Sequence, residues 1–298
     1  MTERTPGQDN TDERAIIFER YRSRLFGIAY RMLGSVEDAK DLTQEAYLRW
    51  HQADVAAIRA PEGWLVAVIT RLSIDHLRSA SHERESYVGD WLPEPIATDA
   101  PSAPDHHVEM ASDLSMAFLV LLERLAPEER AALLLRDVFD AEYGEIARVL
   151  EKSEAASRQM VHRARTRVRS DKARFDVAPE AKEQLVARFL SALEADDQET
   201  LLALVGADAS FTSDGGGRVS AARNVLRGAD RIVRFVLGLE RKYSSVLRHE
   251  IAWINGEPAI ASYSSEGLFC TTSIESDGEH IMGFYRVLNP DKLRNAVQ

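Results

Sequence analysis

The sequence predicts a multidomain protein in which two all-α domains precede a C-terminal α+β domain. Apolar residues recur at helical spacing through most of the first 176 residues. After Pro179, short strand-like runs are separated by the hairpin turn signals Asn255-Gly256 and Asp277-Gly278. The length of 298 residues suits two or three domains of ordinary size.

The first all-α domain is predicted at residues 13–80, after a polar tail at residues 1–12 that we expect to be disordered. The tail has no apolar core, so we do not expect it to be a signal peptide. An apolar repeat over residues 16–33 ends at Gly34, and Ser35 then supplies an N-cap for a second helix. These signals predict a sharp boundary between two helices.

The second helix, predicted over residues 35–51, carries three acids on one face. Asp38, Asp41 and Glu45 follow one another at a spacing of i, i+3 and i+7. Such a row is most often a solvated helix face, and it could also dock a basic partner. The residues by themselves leave both interpretations open.

A third helix is predicted from Pro61 to about residue 79. Arg71 and Arg78 lie seven residues apart on one face and could reach phosphates. Trp64 is expected in the core, although an aromatic ring beside a cationic face can also stack on an unpaired base.

Residues 81–107 have the composition of a linker, rich in Ser, Pro, Asp and His. An unusual apolar segment lies inside it, consisting of Trp91, Leu92, Pro93, Glu94 and Pro95. We expect Trp91 to anchor this segment on a domain surface. The alternative is an exposed aromatic side chain without a role.

The second all-α domain, residues 108–176, contains a helix pair over residues 143–169. Ser153 offers an N-cap for the second helix of the pair, and Glu154 places a carboxylate in its first turn. The second helix is strongly basic. Two short helices joined by a tight turn, the second one basic, are typical of a helix-turn-helix that enters a DNA major groove. A charge run alone would more often be a solvated face.

The net charge of the whole chain is −11, which contrasts with that basic helix. Phosphate binding needs a local cationic surface, so we expect weak binding to free DNA and a partner that holds the protein there. Cys270 is the only cysteine, which excludes a disulfide within the chain and a cysteine zinc site. With no apolar run long enough to cross a bilayer, we expect a soluble, cytoplasmic protein.

The C-terminal domain, residues 180–298, is predicted to start with helices and to continue as an antiparallel meander. A glycine-rich stretch interrupts it, consisting of Asp214, Gly215, Gly216, Gly217 and Arg218. The glycines indicate a turn or a close backbone approach more than a phosphate-binding loop, because the P-loop pattern is missing. Candidate acids and bases for an enzyme are Asp214, His249, Glu250 and His280. No spacing pairs any of them.

Several of these segments resemble one bacterial protein family. Residues 41–49, Asp-Leu-Thr-Gln-Glu-Ala-Tyr-Leu-Arg, resemble the region 2 motif of extracytoplasmic-function (ECF) sigma factors, and residues 146–165 are similar to their region 4. The segments WLPEP (91–95), DGGGR (214–218) and NPDKL resemble the branch with a SnoaL-like C-terminal extension, the SigJ type. The last segment consists of Asn289, Pro290, Asp291, Lys292 and Leu293.

The resemblance implies a fold and a set of partners. The C-terminal domain would be a SnoaL-like, ketosteroid-isomerase-type cone-shaped barrel. Region 2 would bind the β′ clamp helices of core RNA polymerase, and region 4 would bind the β flap. The clamp-binding residues would be Asp38, Asp41, Gln44, Glu45 and Leu48. Neither a cofactor nor a separate anti-sigma factor would be needed.

The resemblance also assigns residues to promoter DNA. The −10 element would be bound as single strand by Arg59, Trp64, Arg71 and Arg78. The −35 element would be read by Ser157, Arg158, Gln159, His162, Arg163 and Arg165. Arginine is the usual bidentate partner of guanine in the major groove.

The sequence departs from the family pattern in the turn of the helix pair. Glu151 stands where the family usually has glycine, and a positive φ there would cost about 1 kcal/mol. Lys152 and Ser157 replace positions that are commonly apolar.

The predicted function is that of a sigma factor that directs promoter-specific transcription initiation, with its C-terminal domain controlling its activity from within the chain. Two alternatives belong to other classes. The first is a helix-turn-helix regulator that works without polymerase. The second is a SnoaL-like isomerase or cyclase fused to a DNA-binding module. A small-molecule ligand in the C-terminal domain is a further hypothesis.

Overall fold

The computed structural model describes residues 6–54, 57–80, 87–99, 114–171, 177–222 and 224–296. The described residues fall into two compact units. The first lies within Met1–His82 and Leu122–Lys172, and the second within Glu83–Leu121 and Ala173–Gln298. No helix in the described part of the chain is long and apolar enough to cross a membrane.

The described α-helices, in chain order, are α1 (Pro6–Leu33), α2 (Val36–Gln52), α3 (Pro61–Ser79), α4 (Met116–Leu122), α5 (Pro127–Asp137), α6 (Tyr143–Leu150), α7 (Glu154–Asp171), α8 (Pro179–Glu194), α9 (Gln198–Leu204) and α10 (Ala229–Tyr243). The predicted boundary between the first two helices is confirmed. Gly34 has φ of 66°, and the Ser35 hydroxyl accepts the amide hydrogen of Asp38 at 3.2 Å.

The first helix starts earlier than predicted. Residues 6–12, expected to be part of a disordered tail, form the first turns of α1. Pro6 occupies the first helical position, where proline loses no intrahelical hydrogen bond, and each residue added to a nucleated helix gains one such bond. Residues 1–5 of the predicted tail lie outside the described residues.

In the first unit, α1 packs against α2, α3 and α5 around an apolar core. Trp50 is fully buried in this core, and its indole nitrogen donates to the carbonyl oxygen of Arg14 at 2.9 Å. The ring of Trp64 lies 5.6 Å from that of Trp50, which gives Trp64 a half-buried position.

Two arginines connect the helices before and after the linker into one unit. Arg130 on α5 is 2% exposed, donates to the carbonyl oxygen of Met32 and pairs with Glu123 at 2.7 Å. Arg24 on α1 donates to the carbonyl oxygen of Phe139 at 3.2 Å. Both sets of helices pack in a single compact unit.

The second unit contains a six-stranded mixed sheet in the order β2-β1-β6-β5-β4-β3. Its strands are β1 (Val205–Asp214), β2 (Leu226–Arg227), β3 (Arg248–Ile254), β4 (Glu257–Ser264), β5 (Gly267–Ser276) and β6 (Ile281–Val287). The predicted antiparallel meander is confirmed for β3 to β6. The strand β1 pairs with β6 in parallel, which makes the sheet mixed.

The two faces of this sheet are covered by different segments. One face packs on α8, α9 and α10 through an apolar core that includes Phe211 and Phe284. The other face carries a smaller apolar cluster that includes Leu92, Met116 and Val287. Because Met116 is buried in this cluster, residues 114–121 belong to the second unit, although the sequence assigned them to the second helical domain.

Candidate nucleic-acid interface and polymerase-docking surface

The acid row lies on the outer face of α2, as its spacing predicted. Asp41 and Gln44 are exposed, and Leu48 beside them is a large apolar side chain that is 44% exposed. Asp38 and Glu45 are partly covered. The Asp38 carboxylate lies 3.5 Å from the His76 imidazole, and Glu45 pairs with Arg49 at 2.9 Å. The arrangement is an acidic surface with an exposed leucine in it.

Four side chains were predicted to contact −10 DNA, and the structure separates them into two groups. Arg59 is exposed and Trp64 is half-buried at the start of α3. Arg71 and Arg78 are occupied within the first unit. Arg78 pairs with Glu128 on α5 and lies 3.6 Å from Asp75.

Arg71 is bound to the C-terminal end of α6, the first helix of the helix pair. Its guanidinium donates to the carbonyl oxygens of Val149 and Arg148 at 3.0 Å each, and it lies 3.2 Å from the Glu151 carboxylate. The last carbonyls of a helix lack intrahelical partners, so Arg71 satisfies two of them. In this conformation it is a C-terminal cap for α6.

The turn of the helix pair is formed by a residue with positive φ. Glu151 has φ of 55° and ψ of 43°, the left-handed conformation usually taken by glycine. The backbone amides of Glu151 and Lys152 both donate to the carbonyl oxygen of Ala147. The conformational cost of a non-glycine residue here is therefore offset by hydrogen bonds that end the helix.

The second helix of the pair, α7, starts with the predicted cap. The Ser153 hydroxyl accepts the amide hydrogen of Ala156 at 3.2 Å. Gln159 and His162 are exposed on its outer face. Ser157 is fully buried, and its hydroxyl donates to the carbonyl oxygen of Ser153 at 3.1 Å. The prediction that Ser157 contacts DNA therefore does not fit the structure, because the inner face of α7 packs in the core.

The arginines of α7 are held by carboxylates of the same unit. Arg158 pairs with Glu154 at 3.1 Å, and Arg163 lies 3.4 Å from Glu129. Arg165 forms a two-point contact with Asp137, and the hydrogen bond to that carboxylate raises the pKa of Arg165. The Arg158–Glu154 pair is exposed on both sides, and such a pair contributes at most about 1 kcal/mol, so a phosphate can replace the Glu154 carboxylate.

A second cluster lies in the other unit, where the three short motifs of the sequence meet around one carboxylate. Asp214 at the end of β1 is fully buried. It accepts hydrogen bonds from the Tyr87 hydroxyl at 2.6 Å, the Leu92 amide at 2.9 Å, the Gly216 amide at 3.0 Å and the Lys292 amine at 2.7 Å. We call these five residues the Asp214 junction.

Lys292 binds the linker as well as Asp214. Its amine donates to the carbonyl oxygen of Leu92 at 2.5 Å and lies 4.1 Å above the ring of Trp91. The predicted anchor Trp91 is only half-buried, whereas Leu92 is 1% exposed. Leu92 is therefore the anchor of the linker, and Trp91 covers the ammonium group. Pro93, Glu94 and Pro95 are also buried.

The glycines after Asp214 are explained by close approaches. A Cβ atom on Gly216 would lie 2.3 Å from the Asn289 side-chain nitrogen, and one on Gly217 would lie 3.1 Å from Val88. Both glycines have positive φ, 58° and 70°. Beside them, Arg218 pairs with Asp291 at 3.1 Å. The glycines thus let two loops pack against each other, as a close-approach interpretation predicted.

Sequence reasoning missed Tyr87 and Asp90, which precede the WLPEP segment. Burial, with the hydrogen bond to Asp214 as a second cause, raises the pKa of Tyr87, so this hydroxyl stays a donor. Burial and the charge of Asp214 raise the pKa of Asp90, and one of its carboxylate oxygens is buried without a hydrogen bond to any described residue. The sequence signal that could have indicated the role of Tyr87 was its position four residues before the WLPEP segment.

Comparison with known proteins gives two family matches. Sigma-70 region 2 matches residues 17–83, and Sigma-70, region 4 matches residues 115–168. The chain is 39% identical over 291 residues to the ECF RNA polymerase sigma factor SigJ of Mycobacterium tuberculosis (strain ATCC 25618 / H37Rv), covering 94% of this chain and 93% of that protein. It is 28% identical over 276 residues to the probable ECF RNA polymerase sigma factor SigI of the same strain, covering 92% of each.

A solved structure is similar over nearly the whole chain. The crystal structure of the Mycobacterium tuberculosis extracytoplasmic function sigma factor SigJ has a TM-score of 0.77 and 37% sequence identity, and the match covers 93% of this chain and 97% of that one.

Proposed function

The chain belongs to the ECF sigma factors, and we propose that its two units divide promoter recognition and its control between them. It is a sigma factor that binds core RNA polymerase and directs promoter-specific transcription initiation, and it is not an enzyme. Its work therefore belongs in the cytoplasm, where polymerase acts.

The outer face of α2 is the proposed docking surface for the β′ clamp helices. Asp41 and Gln44 supply exposed polar groups, and Leu48 supplies an apolar anchor among the acids. An exposed leucine rimmed by polar groups has the composition of an interface centre. Asp38 and Glu45 lie on the same face. The β flap is the proposed partner of the helices after residue 122.

The outer face of α7 is the proposed −35 reader. It presents Arg158, Gln159, His162 and Arg163, with Arg165 at its edge. Arginine pairs with guanine and glutamine with adenine in the major groove, each good bidentate pair discriminating by about 1–3 kcal/mol. This local cationic surface is compatible with a net charge of −11, because polymerase binding brings it to the DNA.

The −10 element is the proposed target of the face of α3, with Arg59 and Trp64 at its start. Arg71 and Arg78 can join them only after giving up their present contacts with α6 and Glu128. Both arginines are about half exposed, so these contacts are weak enough to be exchanged for phosphates. We infer that promoter binding requires the helical unit to open at this seam.

Control by the C-terminal domain is the proposed role of the second unit. The Asp214 junction carries this proposal, because three of its hydrogen bonds hold the linker residues Tyr87 and Leu92 in that unit. The chain leaves the first unit after residue 82 and re-enters it at residue 122. Whatever holds residues 87–99 therefore limits how far the two helical segments can separate. A separate anti-sigma factor is then unnecessary.

The enzyme alternative receives no support from the junction. Asp214, one of the candidate acids for an isomerase or cyclase, is fully buried and accepts hydrogen bonds from four donors. A general base must be able to reach a substrate proton, and this carboxylate has no open side. The structure favours a structural role for it.

Run-off transcription with purified core polymerase tests the proposal. We expect a chain lacking residues 179–298 to differ in promoter activity from the full chain, and a chain lacking only residues 289–298 to differ from both, because the shorter deletion removes Lys292 and keeps the sheet. Identical activity for all three would refute the control role. Loss of core binding by the full chain itself would instead refute the docking proposal.

The docking surface has its own matched pair of variants. Asp41→Ala together with Leu48→Ala should weaken core binding by about tenfold or more, which is 1.4 kcal/mol. Glu19→Ala removes an exposed acid from α1 and should leave the affinity unchanged. Equal affinities for both variants, measured by fluorescence anisotropy with labelled sigma factor, would exclude the α2 face.

A further inference from the structure

A narrow pocket lies inside the second unit, between the sheet and the helices α8 and α10. Its apolar wall includes Phe189, Phe211 and Phe284. The ring of Phe284 lies 5.2 Å from that of Phe189 and 5.7 Å from that of Phe211. The cavity volume is about 40 Å³, room for about three ordered waters, or for one aromatic ring in their place.

Three polar side chains line the same pocket and form a hydrogen-bonded chain. The two ring nitrogens of His249 lie 2.8 Å from the Ser262 hydroxyl and 2.9 Å from the Glu240 carboxylate. The side chains of His249 and Glu240 are 9% and 16% exposed. The sequence offered His249 as a candidate without a partner, and the fold supplies two. Glu240 therefore already has a hydrogen-bond partner within the pocket.

Arg286 also lines the pocket, but unlike His249 and Glu240 it has no hydrogen-bond partner at its buried nitrogen among the residues that the structure describes. Its Nε is buried without a hydrogen-bond partner, and no carboxylate of the described residues pairs with it. Its neighbours across the sheet are Thr272 on β5 and Ser213 on β1, which carry no charge. A partly buried cation without a counter-charge is unfavourable unless an anion completes the site.

We propose that this pocket binds a small aromatic carboxylate. The ring would fill the space beside Phe189, Phe211 and Phe284, and the carboxylate would pair with Arg286 and receive a hydrogen bond from the Thr272 hydroxyl. Arginine presents a planar fork of donors that matches a carboxylate. Glu240 on another side of the pocket disfavours a second negative group, so the ligand carries one.

The pocket also has a direct route to the linker. Alternate residues of a strand face opposite sides of a sheet, so Phe284 and Arg286 face the pocket while Tyr285 and Val287 face the other side. On that side, Tyr285 and Val287 pack in the same cluster as Leu92 of the linker. A ligand in the pocket would therefore influence the linker through the two faces of β6. This biological role of the ligand rests on the proposed control function.

Calorimetric titration of the full chain with benzoate, benzyl alcohol and benzylamine tests the proposal without polymerase. A fragment of this size is expected to bind with a Kd of about 1 mM or tighter. Benzoate should bind with one-to-one stoichiometry, at least tenfold more tightly than either analogue. Equal affinity for benzoate and benzyl alcohol would overturn carboxylate recognition, and no benzoate binding at about ten times that concentration would overturn the site.

Two arginine variants locate the binding. Arg286→Gln should weaken benzoate binding at least tenfold, whereas Arg248→Gln should not change it. Arg248 lies on the same sheet outside the pocket and is 69% exposed. Unchanged binding by Arg286→Gln would overturn the assignment. Because the wild-type comparison of benzoate with benzyl alcohol needs no variant, it decides the question even if Arg286→Gln fails to fold. Failure of binding would leave the sigma-factor function and the control role untouched.

Discussion

Replacement of Lys292 by methionine isolates the energy with which the C-terminal domain holds the linker. The ammonium and the Asp214 carboxylate have side-chain exposures of 8% and 0%, so the pair is buried. Methionine keeps most of the apolar stem and removes the charge. Asp214 would then be a buried carboxylate without a cationic partner, and removing one member of such a pair costs about 3–5 kcal/mol.

Two further interactions are lost with the same substitution. The hydrogen bond to the Leu92 carbonyl oxygen at 2.5 Å disappears, and so does the contact with the Trp91 ring at 4.1 Å. A partly buried cation–π contact contributes about 0.5–2 kcal/mol. The tyrosine hydroxyl and two backbone amides still donate to Asp214, which keeps the expected cost near the pair value.

Urea unfolding of the full chain, followed by circular dichroism, measures the cost. Arg294→Met is the matched control, because Arg294 lies two residues away and its side chain is 74% exposed. It pairs with Asp291 at 3.2 Å. An exposed pair of this kind contributes at most about 1 kcal/mol. A cost for Lys292→Met no larger than that of Arg294→Met would refute the view that the junction holds the linker energetically.

Three further predictions concern Asp90, the turn of the helix pair and the outer face of α7. Asp90→Asn should stabilise the second unit at neutral pH. Burial and the charge of Asp214 raise the folded-state pKa of Asp90, so the wild type loses stability as the pH rises through that pKa. The gain in stability of Asp90→Asn, measured by urea unfolding, should therefore vanish when the pH falls below the usual range of aspartate pKa values. A gain that is independent of pH would contradict this cause. Glu151→Gly should be more stable than Glu151→Ala by about 1 kcal/mol, because both lose the carboxylate and only alanine keeps the strain of a left-handed conformation; equal thermal stability would argue against strain. Arg158→Ala should weaken promoter discrimination at the −35 element by about 1–3 kcal/mol in competition run-off assays, whereas Ser157→Ala should preserve it, since that hydroxyl faces the core. A larger effect for Ser157→Ala would restore the original assignment of that residue to DNA.

Features that depend on neighbouring residues could be predicted from the sequence. Gly34 and the Ser35 cap mark a helix boundary because both act within one helical turn. The same is true of the Ser153 cap, whose hydroxyl accepts the amide hydrogen of a residue three positions later. Spacing likewise placed the acids of α2 on one exposed face.

Features that depend on distant residues could not be predicted from the sequence. The partners of Arg71 lie 77 and 78 residues away, so no local pattern distinguishes a helix cap from a phosphate contact. Burial of Ser157 was equally hidden, because a short hydroxyl suits both a DNA interface and a core position that satisfies it through the backbone.

Inspection of contiguous residues was sufficient to predict the family, the helix pair and the three short motifs, because motif spacing and capping are local properties. The fold brings the motifs together at Asp214, three of whose donors lie 78, 122 and 127 residues away along the chain. It also decided that His249 pairs with Glu240 while Arg286 faces the same pocket without a carboxylate. Both results depend on strand pairing and helix packing, which bring together side chains that carry no mark of each other in the sequence.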